Sequence, residues 1–140
     1  MTENFKIIGS FIKDMSSETP DAPTYIFVRD KISKYKLNID INSKAVKDGI
    51  IEVNTIIRFS DQPEILKKAH FEITYTSIVK IDKKVSDKKE MEKIILCDVP
   101  NKIYPDLERI FVNLLTDSGY PGIRFEKKID FTELYKQKAN

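Results

Sequence analysis

Ile50-Ile51-Glu52-Val53-Asn54-Thr55-Ile56-Ile57-Arg58-Phe59 alternates along its length. Successive side chains of a strand point to opposite faces, so Ile51, Val53, Thr55, Ile57 and Phe59 share one face. Glu52, Asn54 and Arg58 share the other, with Ile56 among them. The same pattern runs on both sides of this stretch. Within residues 34–41, Tyr35, Leu37, Ile39 and Ile41 oppose Lys34, Lys36, Asn38 and Asp40. Within residues 68–81, Phe71, Ile73, Tyr75, Ser77, Val79 and Ile81 oppose His70, Glu72, Thr74, Thr76 and Lys80. Asp48-Gly49 is a turn signal and Asp61-Gln62-Pro63 a break. Three alternating runs joined by short connections predict an antiparallel meander with one wet face.

A further strand is predicted before them. Residues 1–14 carry Phe5, Ile7, Ile8, Phe11 and Ile12, with a bulge expected at Gly9-Ser10. Ser16-Ser17-Glu18-Thr19-Pro20-Asp21-Ala22-Pro23 then predicts an irregular, extended crossing segment, because two prolines so close cannot propagate a helix or a central strand. Tyr25, Ile26, Phe27 and Val28 come next in that crossing region. They either plug the core or line an exposed apolar groove. A first strand that reaches the meander through a long crossing makes a Greek-key-like sheet.

After the third run the period changes. Ser86 or Asp87 can cap a helix that begins Lys88-Lys89-Glu90. Pro100 and Pro105 punctuate the stretch beyond it. From Asp106 onward Leu107, Ile110, Phe111, Leu114 and Leu115 form the apolar stripe of an amphipathic helix, ended by Gly119 and Pro121. Asp130-Phe131-Thr132-Glu133 resembles a capping box, so a short helix with Leu134 and Tyr135 closes the chain. The predicted class is α+β: a four-stranded antiparallel sheet with two helices on one face, in a single domain over residues 1–140. A chain of 140 residues is the size of one cored domain.

Composition narrows the function. Lys and Arg number 24 against 22 Asp and Glu, and 41% of residues are hydrophobic. The signs are interspersed, and arginine is scarce, which argues against nucleic acid as a partner. Residues 1–30 carry a small acidic excess, with Asp14, Glu18 and Asp21 among its carboxylates. No apolar run is long enough for a membrane helix, and the first residues do not read as a secretory signal. A single cysteine, Cys97, fits a reducing cytosol and forbids an intramolecular disulfide. The catalytic inventory is thin: one histidine, His70, and Cys97, which nothing places together. No phosphate-cradling glycine motif is present, and no cluster of metal-ligating residues. No metal or cofactor is expected, and an enzyme using His70 or Cys97 is the weak alternative.

Three segments carry a family resemblance. Ile12-Lys13-Asp14-Met15-Ser16-Ser17-Glu18-Thr19-Pro20-Asp21-Ala22-Pro23 resembles the opening signature of SecB, the bacterial protein-export chaperone family. Pro100-Asn101-Lys102-Ile103-Tyr104-Pro105, together with Arg109, is similar to that family's long helix. Gly119-Tyr120-Pro121 through Ile129-Asp130-Phe131-Thr132-Glu133-Leu134-Tyr135 is similar to its closing segment. Three departures stand out: Lys31 where the family has tryptophan, Val99 where it has cysteine, and Lys136-Gln137-Lys138-Ala139-Asn140 in place of its acidic tail.

The resemblance implies a cytoplasmic chaperone that works without ATP. It binds unfolded preproteins, hands them to the export motor SecA and assembles as a homotetramer, a dimer of dimers. A SecB-like chaperone dedicated to another client, such as a toxin–antitoxin pair, is the alternative it leaves. By position, Asp14, Glu18 and Glu72 fall where the family meets the basic tail of SecA. Phe71, Ile73 and Tyr75 fall where its dimers associate. Phe27, Ile32, Tyr35, Phe131, Leu134 and Tyr135 fall near its apolar client groove, with core packing the competing role, above all for Phe131 and Leu134.

Overall fold

The computed structural model describes residues 4–60, 68–125 and 129–139. Strand β1 (Phe5–Glu18) leads into helix α1 (Ala22–Lys31) and a 3-10 turn over Ile32–Lys34. Strands β2 (Lys36–Lys47), β3 (Ile50–Ser60) and β4 (His70–Ile81) come after. Helix α2 (Lys88–Lys93) runs through a π-turn at Ile94–Asp98 into helix α3 (Val99–Asp117), and α4 (Phe131–Ala139) comes last. The sheet order is β1-β4-β3-β2 and every pairing is antiparallel. This is the expected Greek-key-like sheet, with β1 and β2 as its two edges. The Asp61-Gln62-Pro63 break lies outside the described residues.

The odd-numbered residues of β3 and β4 form the covered face. Phe71 pairs with Phe59, Ile73 with Ile57 and Val79 with Ile51. Over this face lie Ile103, Leu107, Phe111 and Leu115 of α3, together with Val28 and Phe131. Leu107, Phe111 and Leu115 are fully buried. Each contributes about 1.5–3 kcal/mol by leaving water, which anchors α3 to the sheet. At the far end Phe5, Val53, Val79, Ile81, Ile94 and Val99 form a smaller apolar cluster.

Two sequence expectations are corrected. The segment holding Pro20 and Pro23 does not stay extended: β1 continues to Glu18, and α1 starts at Ala22. Asp21 accepts the Thr24 N–H at 2.8 Å, and Pro23 sits in the first turn, where a missing N–H costs nothing. Tyr25 to Val28 are therefore helical, with Val28 inside the core and Ile26 and Phe27 outside it. The long helix also begins before Asp106. It starts at Val99 with Pro100 in its first turn and Pro105 inside it. The preceding π-turn feeds it without a loop. Gly119 ends it as expected, at φ +103°, with Tyr120 N–H bonded to the Leu115 carbonyl and Gly119 N–H to that of Thr116.

Candidate functional site: an acidic sheet face and exposed apolar surfaces

The face of the sheet not covered by α3 is mainly polar, with Phe11, Ile56 and Ile78 among its residues. Its position relative to β1 depends on two bulges, between Ile7 and Gly9 and between Ile12 and Asp14. The second turns Asp14 away from the covered face, because one inserted residue reverses the alternation. Asp14 then lies opposite Thr74, Ser16 opposite Glu72, and Glu18 opposite His70. Asp14, Glu18 and Glu72, far apart in sequence, thus become neighbours on one face. Arg58 adds to the row from β3. Its Nε donates to Glu72 at 2.6 Å and its Nη1 to Asp40 at 2.6 Å. One guanidinium bridges two carboxylates, while Asp14 and Glu18 on β1 form no ion pair with it.

A second polar row crosses the same face. The Thr76 hydroxyl donates to the Asn54 side-chain oxygen at 2.6 Å, and the Asn54 amide donates to Asn42 and to Glu52, each at 2.9 Å. Lys13 of β1 reaches Glu52 at 3.1 Å. The hydrogen bonds from Asn54 and Lys13 hold the Glu52 carboxyl below its ordinary value of 4.5. Asn54 and Thr76 are buried yet fully partnered, so this row ties together all four strands.

Among the described residues apolar side chains are exposed in four places, one of them Val46 on edge strand β2. On edge strand β1 they are Ile8, Phe11, Ile12 and Met15, each 42–50% exposed. On α1 they are Ile26 and Phe27, and on α4 Leu134. Lys31, the residue in place of a tryptophan, puts its ammonium 5.9 Å from the Phe27 ring centroid, a cation–π distance. A cavity of about 330 Å³ opens beside α1, lined by Ile32, Ser33, Tyr35, Phe59, Gly122, Ile123, Arg124 and Phe125. Its floor is aromatic: Tyr35 lies 5.3 Å and Phe125 5.7 Å from Phe59, ring to ring.

The expected groove residues therefore divide. Ile32 and Tyr35 line this cavity, whereas Phe27, Phe131, Leu134 and Tyr135 do not. Phe131 is core, 1% exposed, with its ring 5.5 Å from that of Tyr104. Burial pushes the Tyr104 phenol up to about 12. Tyr135 anchors α4 by donating its hydroxyl to the Lys89 carbonyl at 3.4 Å. Ile123, Phe125 and Phe59 complete the cavity and were missed in the sequence. Ile123 and Phe125 sit in a stretch without periodicity, where no pattern marks them.

The residues expected between dimers lie on the covered face of the sheet. Phe71, Ile73 and Tyr75 are 2%, 0% and 9% exposed, and α3 of the same chain already covers them. His70 and Cys97 do not meet. His70 begins β4, while the π-turn of Cys97 packs near Val79 and Ile81 at the other end, on the order of 30 Å of strand away. Cys97 is buried, with its sulfur 3.3 Å from the Thr132 hydroxyl.

This architecture has relatives. The family described as preprotein translocase subunit SecB matches residues 1–140, the whole chain. The chain belongs to the SecB family. It is 93% identical over 140 residues to a putative protein-export protein SecB of Pelagibacter ubique, covering 100% of both. A protein-export protein SecB of Methylocella silvestris is 24% identical over 93% of this chain and 79% of its own length. Among solved structures, a SecB-like chaperone of Mycobacterium tuberculosis in complex with a ChAD peptide from the HigA1 antitoxin superposes with a TM-score of 0.64. It is 14% identical and covers 89% of this chain and 91% of its own, so it speaks to the SecB-like fold alone. Membership of this family makes the chain a protein-export chaperone. Among the described residues no helix is long and apolar enough to cross a membrane.

Proposed function

We propose that this SecB-family chain holds unfolded preproteins in the cytosol without ATP and delivers them to SecA. The observation that carries the delivery step is the gathering of Asp14, Glu18 and Glu72 on the uncovered sheet face. A basic tail finds there several carboxylates on a rigid surface. Such a contact gains on-rate from long-range attraction and weakens as salt shortens the Debye length to about 8 Å.

Client capture rests on the aromatic cavity beside α1 and on exposed Ile26 and Phe27. Unfolded chains expose apolar side chains that folded ones bury, so such surfaces select by folding state. The proposed tetramer needs an interface on the surface of the chain. Edge strand β1 supplies one: 14 residues with one side unpaired and four exposed apolar side chains. An antitoxin client gains no support from the Mycobacterium structure, because the likeness extends only to the fold.

The test is titration of the purified protein with the C-terminal tail peptide of SecA. The wild type is expected to bind, with affinity falling as salt rises. A variant carrying Asp14→Asn, Glu18→Gln and Glu72→Gln is expected to lose that binding while keeping its circular dichroism spectrum. Tail binding unaffected by the triple substitution would mean that the tail docks somewhere other than the acidic face.

A further inference from the structure

The end of the sheet opposite the acidic cluster carries the reverse charge. A cavity of about 360 Å³ opens where β1 begins and β4 ends, lined by Phe5, Lys6, Lys80, Ile81, Asp82 and Lys83. Lys6 and Lys80 stand directly opposite each other in the antiparallel pair. Like charges in that relation are unfavourable, since their Cβ atoms lie only about 4.5–5.5 Å apart. Among the described residues nothing relieves them: Lys6, Lys80 and Lys83 form no ion pair and no side-chain hydrogen bond there. The single carboxylate lining the cavity, Asp82, is turned back on its own loop, where it accepts the Lys84 N–H at 2.9 Å. Phe5 and Ile81, each 8% exposed, also line it, with side chains that belong to the covered face opposite that of Lys6 and Lys80.

We propose that this cavity is an anion site for a phosphate-bearing group, either a soluble phosphate compound or a phospholipid headgroup. Three lysines that line one cavity supply the charge a doubly ionised phosphate needs. Binding removes the repulsion between Lys6 and Lys80. Lysines act as point charges, which suits a rotating phosphate better than a planar carboxylate that wants a guanidinium fork. The site is independent of the export reading. It lies about eight strand residues from Glu72, roughly 27 Å, so both ends of the sheet can be occupied together.

The experiment compares wild type, Lys80→Gln and the control Lys34→Gln, which removes an exposed lysine from the 3-10 turn away from the cavity. Each is titrated at low salt with inorganic pyrophosphate, and separately with phosphatidylcholine vesicles with and without phosphatidylglycerol. The wild type is expected to bind at least one probe, Lys80→Gln about fivefold more weakly, and Lys34→Gln as the wild type does. Pyrophosphate binding alone assigns the site to soluble phosphate, and binding only to the anionic vesicles assigns it to a headgroup. Lys80→Gln is also expected to melt no lower than wild type without ligand, since it relieves a like-charge pair, so a folding defect cannot imitate the result. Binding to neither probe, an unchanged affinity in Lys80→Gln, or an equal loss in Lys34→Gln overturns the assignment.

Discussion

Arg58 holds Asp40 and Glu72 at once, and what it stabilises differs from what it controls. Its side chain is 45% exposed, so each pair is worth at most about 1 kcal/mol. Its effect on the local field is larger, because it is the cation bonded within the acidic row. Arg58→Gln is expected to leave the melting temperature within a few degrees of wild type. The same substitution is expected to tighten binding of the basic tail about fivefold at low salt, with a steeper salt dependence. Calorimetric titration at two ionic strengths measures both. Weaker binding in the variant would mean that Arg58 itself contacts the partner. Glu72 was legible from strand alternation alone. Asp14 and Glu18 were matched by resemblance, but their face was not legible, because it hangs on the bulge between Ile12 and Asp14. Without that bulge both carboxylates would turn toward the other side of the sheet.

At the scale of elements, alternation revealed the strands and the stripe from Leu107 to Leu115 revealed the core of α3. The errors came from proline. Pro23 and Pro100 read as breaks, yet each lies in a first helical turn, where the missing N–H is one of those a helix leaves unpaired anyway. Pro105, inside α3, is outweighed by the burial of Ile103, Leu107 and Phe111 on either side of it. Alternation also assigned Phe71, Ile73 and Tyr75 to one face without saying what covers that face. Only the three-dimensional structure shows α3 there. The junction of α3 with α1 is a tightly packed joint between elements. Gly119 is left-handed at φ +103°, and an added Cβ would come within 2.8 Å of the Tyr25 ring, whose hydroxyl donates to the Gly119 carbonyl at 2.8 Å. Gly119→Ala is expected to cost about 1–3 kcal/mol of stability and to displace α1 beside the cavity. Denaturant unfolding measures the first effect. A variant as stable as wild type would show that the turn and Tyr25 relax freely.

At the scale of the whole molecule, two kinds of surface would divide the proposed labour. The acidic face lies on one side of the sheet and the aromatic cavity beside α1 on the other, so a bound client need not block a tail. A formal net charge of +2 is compatible with this, because the carboxylates are grouped by strand register and not by abundance. In the proposed tetramer, assembly through β1 would add avidity by presenting several cavities to one extended client. Ile12→Glu, on the unpaired edge, is expected to lower the solution mass from about four copies toward one or two, read by light scattering. An unchanged mass would place the interface elsewhere. Capture of unfolded chains is the property on which every other proposed role depends. To measure it, a denatured preprotein is diluted into buffer without ATP, with and without an equimolar amount of this protein, and light scattering follows aggregation. Scattering is expected to be suppressed, with the client kept competent to refold or be handed on. Aggregation at the same rate and to the same extent as without the protein would show that it is not a holding chaperone.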